Sequence, residues 1–170
     1  MPNYAITVVS HDRPGLIADI TGVLAEIGGN VEGSSMSLLQ GHFAWTLVVA
    51  AQIEPDELQR RLLVVCPRGA AVVPLDDVPS EAPAPHDRII VSFHGADRIG
   101  ITAAVTRLLA DRGGNIVELT THLAGGMYLG TAEVDFGARV DIDELAAAAA
   151  GVGRDLGVAV SVHREEPEVL

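Results

Sequence analysis

The chain has 170 residues, of which 48% are hydrophobic, 20% charged and only 4% aromatic, so any packed core must be built from Val, Ile, Leu and Ala. Its net charge of −12, with no Lys and scattered Arg, argues against nucleic acid and anionic membrane as direct partners, since both need a local excess of cations. No apolar run approaches the roughly 18 residues of a membrane span, and the start MPNYAITVV lacks the basic region of a signal peptide, so a cytoplasmic protein is expected.

Tyr4 to Ser10 is a β-branched run and predicts a strand that could be covered on both faces. Pro14 then opens a helix, where its missing N–H costs nothing. Leu16, Ile17, Ile20, Val23, Leu24 and Ile27 fall on one helical stripe, and Gly28-Gly29 ends it. Val31 to Leu39 reads as a second strand, Gln40-Gly41 as a turn, and Phe43 to Gln52 as a third strand. Glu54 to Cys66 reads as a second helix and Ala70 to Leu75 as a fourth strand. Cys66, in the apolar stretch LLVVCP, reads as a small buried hydrophobe.

The rhythm then repeats. Asp12-Arg13-Pro14-Gly15-Leu16 recurs as Asp97-Arg98-Ile99-Gly100-Ile101, and Gly28-Gly29-Asn30-Val31 recurs as Gly113-Gly114-Asn115-Ile116, both at an offset of 85. A shared offset leaves no insertion between the landmarks in either copy. The second copy predicts strand Arg88–His94, helix Gly100–Arg112, strands Ile116–Ala124 and Met127–Phe136, helix Asp141–Leu156 and strand Val158–Arg164. Asp141 is a candidate N-cap, and Gly151-Val152-Gly153 leaves the far end of that helix open. The organisation is therefore residues 1–75, a Pro- and acid-rich spacer at 76–87, residues 88–165, and a tail at 166–170. A βαββαβ order predicts an α+β fold: two tandem ferredoxin-like domains, each a four-stranded antiparallel sheet with two helices on one face. Copies of roughly 75 residues have thin cores, so pairing is expected, as a homodimer or within the chain.

The loop Asp12-Arg13-Pro14-Gly15 joins the first strand to the first helix. N–H groups at a helix start attract a carboxylate, Gly15 lets a ligand approach the backbone, and Asp12 can accept from an ammonium group. Those groups suit a free amino acid. They suit equally a plain structural role, with Asp12 capping the helix and Gly15 relieving a turn. Asn30 and Asn115 pose the same choice, either a helix-ending residue or an amide for a ligand. Of the six His, those at 11, 94 and 122 have no His at the equivalent position, and no HxxxH or CxxC spacing occurs. His11 and His94 remain candidates for peripheral contacts, and Ser34-Ser35 and Thr120-Thr121 for hydroxyls on the second strands. No GxSxG, Walker loop or dinucleotide fingerprint is present, so no catalytic residue, metal or cofactor is expected.

D-R-P-G-L followed by G-G-N-V within a βαββαβ pattern resembles the ACT domain, a regulatory amino-acid-binding module. The resemblance covers both copies, and the tandem arrangement is similar to the glycine cleavage system transcriptional repressor group. It implies a ligand between the loop of one domain and the G-x-N region of a neighbour. The implied first site is Asp12, Arg13, Pro14, Gly15 and Leu16 with Asn30, and the second is Asp97, Arg98, Gly100 and Ile101 with Asn115. Ile99 departs from the pattern where the first loop has Pro14. The expected function is that of a non-enzymatic amino-acid sensor acting through a protein partner. The alternatives are a subunit of an enzyme with no small ligand, or a small enzyme on the same fold.

Overall fold

The computed structural model describes residues 1–67, 69–76 and 86–164; most of the proposed spacer, 77–85, and the tail from 165 lie outside them. The chain divides into two compact units, residues 1–80 and 81–170. The first is built from β1 (Asn3–His11), α1 (Leu16–Glu26), β2 (Asn30–Leu39), β3 (His42–Ala50), α2 (Pro55–Val65) and β4 (Ala70–Leu75). The second repeats the order with β5 (Asp87–Ala96), α3 (Ile101–Asp111), β6 (Gly114–Ala124), β7 (Met127–Phe136), α4 (Ile142–Leu156) and β8 (Val158–Arg164). Each sheet is wholly antiparallel, in the order β2-β3-β1-β4 and β6-β7-β5-β8. This is the ferredoxin-like βαββαβ arrangement, twice.

In the first unit Ile6, Val8, Leu47 and Val49 of the sheet meet Leu16, Ile20 and Leu24 of α1 and Leu58 and Leu62 of α2. Both helices lie on one sheet face because the apolar side chains alternate along the strands. Ile6 and Val8 are buried, while Thr7 and Val9 are exposed. The β-branched run of β1 is thus covered on one face only, not both, since the helices of a βαββαβ unit all return on the same side. Cys66 is buried in this core, and burial pushes its thiol up, as suits an inert hydrophobe.

The two cores solve one packing problem in opposite ways. Val8 pairs with Trp45 across β1 and β3, and at the equivalent place Phe93 pairs with Gly130 across β5 and β7. A Cβ on Gly130 would stand 2.1 Å from Cζ of Phe93, so the ring occupies the space that Trp45 fills in the first copy. The glycines of α4 have a similar cause. The helix continues past Gly151 to Leu156, and a Cβ at Gly153 would come 2.6 Å from the carbonyl oxygen of Val158. Asp141 is its N-cap, accepting from the N–H groups of Asp143 and Glu144 at 3.1 Å each.

A polar clasp closes the second unit. Asp87 at the start of β5 meets Arg164 at the end of β8 at 2.5 Å and accepts from the N–H of Val140 at 2.7 Å. The Arg164 guanidinium, and then the Val140 N–H, hold the Asp87 carboxyl below the usual carboxylate range.

Two outcomes follow. Gly130→Ala should lower stability by about 1–3 kcal/mol through overpacking against Phe93, read as a lower midpoint in chemical denaturation; an unchanged midpoint contradicts the packing account. A carboxyl held below its ordinary value stabilises the fold fully above about pH 4 and loses that contribution as pH falls further. Asp87→Asn should therefore flatten the acid limb of the stability profile below that pH.

Candidate functional site

β1 ends at His11, and residues 12–15 turn the chain back towards α1. The N–H of Asp12 donates to the carbonyl of Gly41 at 3.4 Å, tying the loop to the β2–β3 hairpin; Asp97 and Gly126 do the same at 3.2 Å. Gly15 has φ 84° and ψ −4°, and the N–H of Leu16 donates to the carbonyl of Arg13 at 3.4 Å. That is a type II turn, with Pro14 in its second position and Gly15 in its third. Pro14 therefore does not open the helix as the sequence suggests. Its fixed φ suits either place, but the left-handed backbone of Gly15 cannot be helical, so the helix starts at Leu16. The second loop makes the same turn with Ile99 in place of the proline and Gly100 at φ 96°.

This turn leaves both helix starts without a side-chain cap. Asp12 is not the N-cap, so the capping role open to it in the sequence is not the one it fills. The positive end of α1 instead faces outward beside exposed Asp12. Arg13 reaches over the same turn and pairs with Asp19 at 2.6 Å, both side chains about half exposed. In the second copy Ala104 stands at the place of Asp19, and the Arg98 guanidinium lies over Gly157 instead, 3.3–3.4 Å from where a Cβ would stand. Leu16 and Ile101 are core residues, 2% and 1% exposed.

The first loop borders a cleft of about 530 Å³, within the range of small-molecule sites. Asp12, Arg13 and Gly15 form one side, Ile17 of α1 another, and Met36, Leu38 and Phe43 of the sheet the rest. Sequence reasoning missed the last four. Ile17 was assigned to the apolar stripe with Leu16 and Ile20, yet it stands 43% exposed at the edge of that stripe. Met36 and Leu38 alternate on β2 opposite Trp45 and Phe43, a pairing that depends on a bulge between Val31 and Gly33. The same bulge recurs between Ile116 and Glu118.

Asn30 and the loop do not meet within one copy. Asn30 pairs with Ala50, which pairs with Asn3 at the start of β1, whereas the loop follows His11 at its end. The length of β1 separates them by roughly 30 Å. Asn115, opposite Asp135 and one position past Phe136, is equally remote from the loop that follows Ala96. Neither Asn has a positive φ, so neither serves as the left-handed end of a helix; Gly28 and Gly113 do, at 67° and 76°. The second glycine of each pair is there for close approach. A Cβ at Gly29 would be 3.1 Å from the Leu24 carbonyl, and one at Gly114 would be 2.7 Å from a Val134 methyl. Both Asn side chains are exposed.

His11 and His42 face each other across β1 and β3 with ring centroids 5.2 Å apart and border a second cleft of about 360 Å³. His94 and His122 are exposed strand residues on either side of Leu129. Among the described residues no three His, Cys, Asp or Glu side chains gather as a metal site would require, and no helix is long and apolar enough to cross a membrane.

Tandem βαββαβ units that share a glycine turn before the first helix and a Gly-Gly-Asn element after it define the ACT class. The family model described as the ACT domain matches residues 5–65 and 87–163, and the chain belongs to that family. A UPF0237 protein of Methanocaldococcus jannaschii is 32% identical over 80 residues, spanning 46% of this chain and 89% of the relative. A UPF0237 protein of Listeria monocytogenes is 32% identical over 80 residues, 46% and 90% of the two chains. Each such relative thus corresponds in length to one copy. Among solved structures, a protein from Galdieria sulphuraria of unknown function covers 97% of this chain and 99% of its own, with TM-score 0.78 and 27% identity. A "putative glycine cleavage system transcriptional repressor" covers 97% and 98% with TM-score 0.66 and 15% identity, a likeness of fold.

A Cβ at Gly15 would meet nothing within 4 Å, so only its backbone angle demands glycine. Gly15→Ala should accordingly cost about 1–2 kcal/mol, the strain of a left-handed L residue, without a packing penalty. A loss of 4 kcal/mol or more in denaturant unfolding would show that the turn carries more of the fold than this.

Proposed function

We propose that the chain is a non-enzymatic regulatory protein that binds a free amino acid at the Asp12–Gly15 turn and the start of α1, and reports its presence to a protein partner. The observation that carries the reading is the cleft beside an uncapped helix start. The N-terminal end of α1 offers partial positive charge to a carboxylate. Asp12, exposed and not spent on capping, stands beside it for an ammonium group. The neighbouring apolar wall of Ile17, Met36 and Phe43 receives the side chain. A zwitterion satisfies all three.

Membership of the ACT family and the likeness of fold to a structure named as a repressor support regulation over catalysis. The acidic surface, with a net charge of −12, favours action through a protein rather than by touching DNA. The first loop is the working site, and the second loop, Asp97, Arg98, Gly100 and Ile101, keeps the turn. Asn30 joins the first site only where another ACT fold brings the start of its β2 to the loop, because one copy holds the two ends apart. The same condition applies to Asn115.

Thermal unfolding in the presence of each common amino acid tests the proposal. A ligand at 100 times its dissociation constant should stabilise the chain by about 2.7 kcal/mol. Asp12→Ala should weaken that shift several-fold, and Asn30→Ala should do so only if a neighbouring fold completes the site. No shift with any amino acid refutes the ligand; a shift untouched by Asp12→Ala refutes the site.

A further inference from the structure

The walls of the first-copy cleft change character at the 85-residue offset. Asp12, Arg13 and Gly15 keep their identity as Asp97, Arg98 and Gly100, and Leu38 remains Leu123. Ile17, Met36 and Phe43 become Thr102, Thr121 and Tyr128. The polar half of the site is thus preserved while three apolar positions of the wall each gain a hydroxyl.

The structure gives this exchange a consequence. In the first copy Ile17 and Met36 are 43% and 49% exposed and stand over the buried ring of Phe43, so large apolar side chains face water at the mouth of a cavity. In the second copy the Thr102 and Tyr128 hydroxyls are bonded to each other at 2.7 Å, linking α3 to β7 across the same position. An apolar group entering there has to part that bond and leave two hydroxyls without partners, which is costly away from water. An apolar group entering the first cleft covers Ile17, Met36 and Phe43 and displaces only water that hydrogen-bonds poorly to them.

Resting on the reading of the first turn as an amino-acid site, we infer that the two copies have diverged in ligand class. The first cleft takes an amino acid with an aliphatic or thioether side chain of leucine, isoleucine or methionine size. The second position, sealed by Thr102 and Tyr128, does not. Glycine, lacking a side chain, gains nothing from the apolar wall. Burying a side chain of that size corresponds to about a tenfold to hundredfold tighter affinity than glycine.

Calorimetric titration of the full chain with leucine, isoleucine, methionine, glycine and serine reads this directly. One apolar ligand per chain is expected, bound at least about tenfold more tightly than glycine or serine. Ile17→Thr, at a half-exposed helix position where folding is not at stake, should weaken the apolar ligand about fourfold or more by removing wall methylenes. Thr102→Ile should leave that binding unchanged. Glycine or serine binding as tightly as leucine overturns the inference and leaves the amino-acid reading standing. So does two-site binding of leucine, or an Ile17→Thr variant that binds leucine as the wild type does. Absence of binding by any amino acid defeats the underlying reading and this inference with it.

Discussion

The backbone angle at Gly15, and its equal at Gly100, is the constraint from which the rest of each copy follows. A φ of 84° or 96° is open to glycine and strained for nearly every other residue. It closes a type II turn at the end of the first strand and aims the following helix back across the sheet. Because the residue in the capping position has no side chain, the first N–H groups of that helix go without a side-chain partner. The turn that permits the fold therefore also creates the polar half of the cleft. Anchoring by the β2–β3 hairpin, through Gly41 or Gly126, fixes where that half stands against the sheet.

Most of the fold was readable from the chain. The 85-residue repeat, the periodicity of each helix and the glycine stops located twelve elements, and β4, β7 and β8 have the very limits that the sequence suggests. What periodicity does not encode is how the chain enters the first helix. Proline before glycine satisfies a helix start and a type II turn alike, and only the sign of the glycine φ separates them. The exposure of Ile17 was illegible for a related reason. An apolar residue next to a buried stripe reads as core unless it is known which part of the helix runs past the edge of its neighbours.

The polar residues of the proposed site were identified from the sequence, while its apolar wall was not. Asp12, Arg13 and Gly15 announce themselves as a motif. Met36, Leu38 and Phe43 belong to strands, where apolar residues are ordinary, and their meeting with the loop depends on a bulge and a hairpin register. The Asn30 assignment shows the converse. The family resemblance, not local chemistry, sets its amide against the loop of a neighbouring domain, and a strand of nine residues separates the two within one copy, so that pairing speaks about a neighbouring fold and not about the one that carries both residues.

The opposite solutions in the two cores, Val8 with Trp45 and Phe93 with Gly130, bear on how such a duplicated chain keeps its halves distinct. Recombination between the two coding segments, if it exchanged β1 with β5 but not their partner strands, would set a phenyl ring against an indole in one half. In the other it would leave a valine facing a glycine. One product is overfilled and the other hollow. Each pair must be inherited whole, so complementary packing makes small tracts of sequence exchange between the copies unfit and preserves the divergence of their clefts.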